Sequence, residues 1–152
     1  MQTINLKNNE PGIDYYWTLI GYFNSIRELG GAASLVYGDI RERLSQIHSR
    51  DLIVSPARRI HYEELTSRIS NEKIPLILKK LEIQSGNPEA IDICLATNMI
   101  ATGVDVSRLG LMFIHGQPKT TAEYIQASSR VGRAVPSGPG FIVTLYLSLI
   151  HI

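Results

Sequence analysis

Residues 91–133 read IDICLATNMIATGVDVSRLGLMFIHGQPKTTAEYIQASSRVGR, and this stretch decides the fold. Five of its first six residues are apolar and two of those are β-branched, which predicts a strand. Residues 97–102 then predict a helical turn closing at Gly103. Residues 109–115 predict a second strand, broken by Gly116-Gln117-Pro118. Thr120 or Thr121 can cap a further helix, expected to run to about Gly132. Strand, helix, strand, helix is the rhythm of an α/β fold, a parallel β-sheet with helices on both faces.

Upstream the rhythm continues. Residues 16–23 (YWTLIGYF) form an aromatic and β-branched strand, and Asn24-Ser25 can cap the helix after it, with Glu28 in capping-box position. Gly30-Gly31 weaken that helix, which is expected to continue through Leu35 and Val36. In residues 40–49 the apolar positions Ile40, Leu44 and Ile47 form one helical stripe. A basic connector covers 50–59 and includes Arg58-Arg59, read as a solvated pair. A short strand is expected near 64–66. Ser70 then caps a helix over 71–82, with Pro75 tolerated in its first turn. Downstream, Gly138-Pro139-Gly140 turns the chain into a last strand over 141–147. No internal repeat is present. Ligands of such sheets meet loops at the carboxyl ends of strands, here beginning at Asn24, Thr97 and Gly116.

Composition narrows the classes. The chain has 152 residues, 44% hydrophobic and 19% charged, which is globular and excludes collagenous or disordered sequence. Fifteen basic residues face fourteen acidic ones, a formal charge of +1. There is no global basic field, so nucleic-acid contact must come from locally placed groups. The single cysteine, Cys94, cannot form an internal disulfide and reads as a core residue. A reducing, cytoplasmic compartment is expected. The four histidines lack metal-ligand spacing. No segment reads as a signal peptide or membrane span.

Chemistry concentrates at the end of the quoted stretch. On a helix over 121–133, Gln126, Arg130 and Arg133 fall at i, i+4 and i+7 and share a face. Two guanidinium groups side by side repel unless an anion lies between them, and a triphosphate suits that geometry. Spacing alone leaves open a solvated arginine face, although Glu123 is the one acidic residue nearby. Gly132 allows close approach of another backbone. Earlier, Thr97 at a helix start can meet a phosphate, and Asp105 after Gly103 can hold a sugar hydroxyl. Alone, such a Thr-to-Asp loop is more often simple capping.

Together the segments resemble a known pair. ATNMIATGVD and QASSRVGR, in that order and spacing, resemble motifs V and VI of superfamily 2 helicases. LIGYFNSIRELG is similar to the motif IV region, and LTSRISNEKIPLILKKLE to the segment before motif V. The resemblance covers about residues 17–147 and is closest to DISARM-type bacterial helicases of phage defence. It implies a C-terminal RecA-like domain. It also implies that Arg130 and Arg133 act as arginine fingers ordered by Gln126. Gly103 and Asp105 would contact the ribose. Thr97, Asn24 and Ser25 would face nucleic acid, DNA rather than RNA. Two positions depart from the common pattern: Ser129 replaces a glycine of motif VI, and Thr102 stands where DEAD-box proteins carry arginine.

No G-x-x-x-x-G-K-[ST] occurs, and no acidic pair follows an apolar strand. The resemblance therefore implies that ATP and Mg²⁺ are bound mainly by an N-terminal RecA-like domain upstream, that this chain is a fragment, and that alone it is inactive. Residues 1–13 are expected as a linker, 14–147 as the domain, and 148–152 as a non-native tail. A non-catalytic module of the same fold, binding nucleic acid or a partner, is the alternative. A generic Rossmann-like nucleotide binder would need the G-x-G-x-x-G this chain lacks.

Overall fold

The computed structural model describes residues 11–50, 59–97, 103, 105–133 and 138–146. The expected linker, the tail and Thr102 lie mainly or wholly outside these.

Five strands form one parallel sheet: β1 (Leu19–Phe23), β2 (Tyr62–Leu65), β3 (Ile93–Ala96), β4 (Leu111–His115) and β5 (Phe141–Leu145), in the order β2-β3-β1-β4-β5. The register pairs Leu19 with both Ile93 and Leu111, and Leu111 with Phe141. Helix α1 (Pro11–Tyr15) precedes β1. Between β1 and β2 run α2 (Ile26–Leu35), a single wide turn at Val36–Ile40 and α3 (Arg41–Arg50). Helix α4 (Ile74–Leu81) joins β2 to β3, and α5 (Thr121–Ser128) lies between β4 and β5.

Alternation along each strand builds two cores. On one face Ile20, Tyr22, Cys94, Ala96, Met112 and Ile114 pack with Ile77 and Leu81 of α4 and Ala127 of α5. On the other, Phe23 and Leu95 pack with Leu29 and Ala33 of α2. The crossover from β1 to β2 runs toward one edge of the sheet and the later ones toward the other. Right-handed connection then requires opposite faces, which is the observed arrangement. Over β5 the second face is bare: Phe141, Val143 and Leu145 are exposed, Phe141 at 58%.

Local chemistry explains the boundaries. Ser25 caps α2 by accepting from the Glu28 N–H at 3.2 Å. The helix continues past Gly30-Gly31 and joins the 40–49 stripe through the wide turn, because residues 35, 36 and 41 keep helical dihedrals. Three expectations are corrected. The first strand starts at Leu19, since Tyr16 and Trp17 close a turn onto Ile13 and Asp14. Ser70 starts a turn, its carbonyl accepting from Lys73, and α4 begins only at Ile74. Helix α5, expected to reach Gly132, ends at Ser128.

Candidate functional site

The early end of α5 reshapes the arginine site. Thr120 and Glu123 form a reciprocal capping box at its start, Glu123 N–H to Thr120 Oγ1 at 3.1 Å and Thr120 N–H to Glu123 at 3.2 Å. Glu123 is thereby turned to the helix start. At the other end the chain turns through 129–132, and Gly132 takes a φ of +83°, a left-handed conformation that favours glycine. Gln126 is exposed on the helix, whereas Arg130 lies in the turn and Arg133 beyond it. The three do not share a helical face.

The turn gives Arg133 a partner that helical spacing did not offer. Its guanidinium is ion-paired with Asp105, and its Nε donates to the Ser129 carbonyl at 2.8 Å. Asp105 and Arg133, 28 residues apart in sequence, thus meet. Arg130, in the turn itself, is half-buried. The Arg133 and Asp105 side chains are 34% and 78% exposed. Gly132 N–H donates to the Leu109 carbonyl at 2.9 Å, and Phe141 N–H to the Gly110 carbonyl at 2.7 Å. These bonds fix the arginine turn and the Asp105 loop at the amino ends of β4 and β5. The close approach expected at Gly132 is real: a Cβ there would sit 2.8 Å from the Gly140 nitrogen.

Thr97, Asn24 and Ser25 occupy the opposite, carboxyl end of the sheet. Thr97 is 3% exposed, and its N–H donates to the Leu65 carbonyl at 3.2 Å. Asn24 Nδ2 donates to the carbonyls of Gln117 at 3.1 Å and His115 at 3.4 Å, tying the loops after β1 and β4 together. Gly103 is exposed; the rest of the expected turn over 97–102 lies outside the described residues. The candidate residues therefore fall into two groups, and only one sits where the carboxyl-end rule expects it.

Sequence reasoning passed over Arg108, the most heavily bonded side chain near the site. It donates twice to the Asp14 carboxylate, at 2.9 and 3.1 Å, and also to Thr18 Oγ1 and the Leu81 carbonyl, at 3.1 and 2.7 Å. Burial alone would raise the Asp14 pKa. The hydrogen bonds from Arg108 and the Ser85 N–H, with the Arg108 charge, outweigh it and hold the carboxyl below its usual range. The only signal was position, three residues after Asp105. A depression of about 410 Å³ borders this network, lined by Asp14, Glu82, Asp105 and Arg108 among others. Three carboxylates against one guanidinium do not suit a polyphosphate.

Cys94 is fully buried, and desolvation pushes its thiol up to about 12, consistent with a core role. Among the described residues no cluster of three His, Cys, Asp or Glu could hold a metal ion. Nor is any described helix long and apolar enough to cross a membrane.

Comparison with known proteins agrees with this architecture. Residues 19–135 match the family model described as the helicase conserved C-terminal domain. Over 134 residues the chain is 52% identical to a protein named DISARM protein DrmA from Bacillus paralicheniformis, spanning 88% of this chain and 12% of that protein. Two solved structures share the fold over 88% of this chain and 15% of theirs. One is Mycobacterium smegmatis helicase Lhr bound to ssDNA and AMP-PNP, at 20% identity and a TM-score of 0.52. The other is T. fusca Cas3-ADP, at 16% identity and 0.54. The parallel sheet, its two helical layers and the match over residues 19–135 lead to one assignment: this chain belongs to the helicase conserved C-terminal domain family and has a RecA-like fold.

Proposed function

We propose that this chain is the second motor lobe of an ATP-dependent helicase or translocase that acts on DNA in phage defence. Arg130 and Arg133 serve as its arginine fingers, ordered by Gln126. Asp105 with Gly103 receives the ribose. Thr97, Asn24 and Ser25 meet the nucleic-acid strand.

The observation that carries the reading is the meeting of Asp105 and Arg133 at the amino end of β4. A guanidinium and a carboxylate, both open to solvent, fit a nucleotide: the first suits phosphate oxygens, the second a sugar hydroxyl. Bound ATP supplies the transferable phosphoryl group. Magnitudes favour exchange of partners. An exposed ion pair is worth about 0–1 kcal/mol. An arginine finger is worth about 10³–10⁵ in rate, or roughly 4–7 kcal/mol of barrier. Releasing Asp105 costs Arg133 little by comparison.

We place metal and β-phosphate in an N-terminal RecA-like lobe of the parent, since the sequence carries no G-x-x-x-x-G-K-[ST] to cradle them. That DrmA is about eight times longer than the matched segment, which covers 12% of it, supports such a parent. The ssDNA in the Lhr structure supports DNA as the strand. With the strand at one end of the sheet and nucleotide at the other, closure of the two lobes couples them through the sheet.

The test is Arg133→Ala in the full-length motor. Turnover is expected to fall by about 10³-fold or more, with nucleotide binding within a few-fold of wild type. The 152-residue chain alone is expected to show no turnover, with or without DNA or RNA. Undiminished turnover in the variant, or authentic turnover by the isolated chain, overturns the reading.

A further inference from the structure

Three consecutive residues ahead of β1 each hold a different part of the arginine site. Asp14 binds Arg108 and, at 2.6 Å, the Ser85 N–H. Tyr15, 2% exposed, accepts from the Gly110 N–H through its carbonyl at 2.8 Å. Its ring fills the space over Gly110 so closely that a Cβ there would lie 2.4 Å from a ring carbon. Its hydroxyl reaches toward Gly132, 3.9 Å from where a Cβ would sit. Tyr16 packs edge-on against Tyr15 with ring centres 5.0 Å apart. It donates through its hydroxyl to the Pro139 carbonyl at 2.6 Å.

Those contacts reach three of the described segments around Arg133. Residues 105–110 carry Asp105, residues 129–133 carry the arginines, and residues 138–140 return the chain to β5. Gly132 and Gly140 are pressed together, which joins the last two segments directly. The Tyr15 hydroxyl is buried without a hydrogen-bond partner. Phenylalanine would fill the same space, so what the position requires is the aromatic volume.

We propose that the tripeptide Asp14-Tyr15-Tyr16 is a positioning element for the arginine turn, with the Tyr15 ring as its central positioning residue. It sets where Arg133 stands relative to Asp105, and any movement of the chain ahead of β1 is passed to the turn through it. The inference rests on the proposed arginine-finger role only for its kinetic consequence; the mechanical part stands apart.

Two measurements test it. In the 152-residue chain, hydrogen exchange at the Gly110 and Gly132 amides is compared in Tyr15→Leu and in Leu29→Ala, a destabilised control on the opposite face. The expected result is exchange about tenfold faster in Tyr15→Leu at matched global stability, with Tyr15→Phe restoring protection. In the full-length motor, Tyr15→Leu is expected to lower kcat about tenfold with KM for ATP changed less than about threefold, since Arg133 acts in the transition state and the exposed Asp105 contributes little to ground-state binding. Tyr15→Phe restores kcat. Tyr16→Phe, which removes only the bond to Pro139, supplies a folded variant should Tyr15→Leu not fold, and is expected to speed Gly132 exchange about threefold. Equal protection in Tyr15→Leu and Leu29→Ala, or unchanged Gly132 exchange in a folded Tyr16→Phe, overturns the proposal. If Arg133→Ala retains turnover while Tyr15→Leu still loses amide protection, the arginine-finger reading fails and the positioning element stands.

Discussion

Arg108→Met removes the guanidinium from a site that has no substitute for it. Arg108 and Asp14 side chains are 11% and 23% exposed, and the substitution takes the arginine donors away from the Asp14 carboxylate, which keeps the Ser85 N–H, and from the Thr18 hydroxyl and the Leu81 carbonyl together. Breaking a buried ion pair by deleting one partner costs about 3–5 kcal/mol. Partial exposure and the packing of a methionine side chain place this case near the lower end, about 3 kcal/mol. For a chain of this size that is a fall of about 6–12 °C in Tm. With a urea m-value of about 2 kcal/mol/M, the midpoint falls by about 1.5 M. The pH dependence carries a sign. In wild type the Asp14 pKa is lowered, so its contribution is present above the unfolded value near 3.9 and is lost as pH falls through the folded one. In the variant the Arg108 hydrogen bonds and charge are gone and only the bonding from Ser85 still opposes burial, so that pKa rises above its wild-type position. The gap between the proteins is therefore widest near neutral pH and narrows below about pH 4. Paired urea melts at pH 7 and pH 3.5 measure both quantities. A loss below about 1 kcal/mol at pH 7 would equate the network with an ordinary exposed ion pair and refute the reasoning.

Gly132→Ala must adopt a φ of +83° and place its Cβ 2.8 Å from Gly140. Calorimetry is expected to show a loss of about 2–4 kcal/mol from strain and overpacking together. Asp105→Asn breaks the exposed pair with Arg133 and should change folding stability by less than about 1 kcal/mol; a larger loss in urea melts would make the pair structural. The Cys94 thiol, buried and pushed up to about 12, should resist a thiol reagent at pH 8 until the chain is unfolded. Thr120→Ala removes the capping box and is expected to cost about 1 kcal/mol, read as a shift in urea midpoint.

The strands were legible because their signal is local: short, nearly continuous apolar runs at 19–23, 93–96 and 111–115 with turn residues between them. Helix starts were legible where a side chain does the capping, as at Ser25 and Thr120. Boundaries failed where long-range contacts decide them. Tyr16 looks like strand by propensity, but its hydroxyl is claimed by Pro139, more than a hundred residues away. Helix α5 stops at Ser128 because Gly132 must meet Leu109 and Gly140, and nothing between residues 121 and 133 announces that. The helical-face argument therefore gathered Gln126, Arg130 and Arg133 for a reason the turn does not honour. The contact between Asp105 and Arg133 is tertiary, and Arg108 gave no motif at all.

The bare side of β5 has a practical meaning. A strand at the edge of the described sheet, with Phe141, Val143 and Leu145 open to water, is a template on which other chains can stack. Concentrated solutions of this chain should self-associate through it, and the natural remedy for such an edge is a lysine on the open face. Val143→Lys leaves both buried cores untouched. It offers a direct route to a preparation that stays monodisperse long enough for the measurements above.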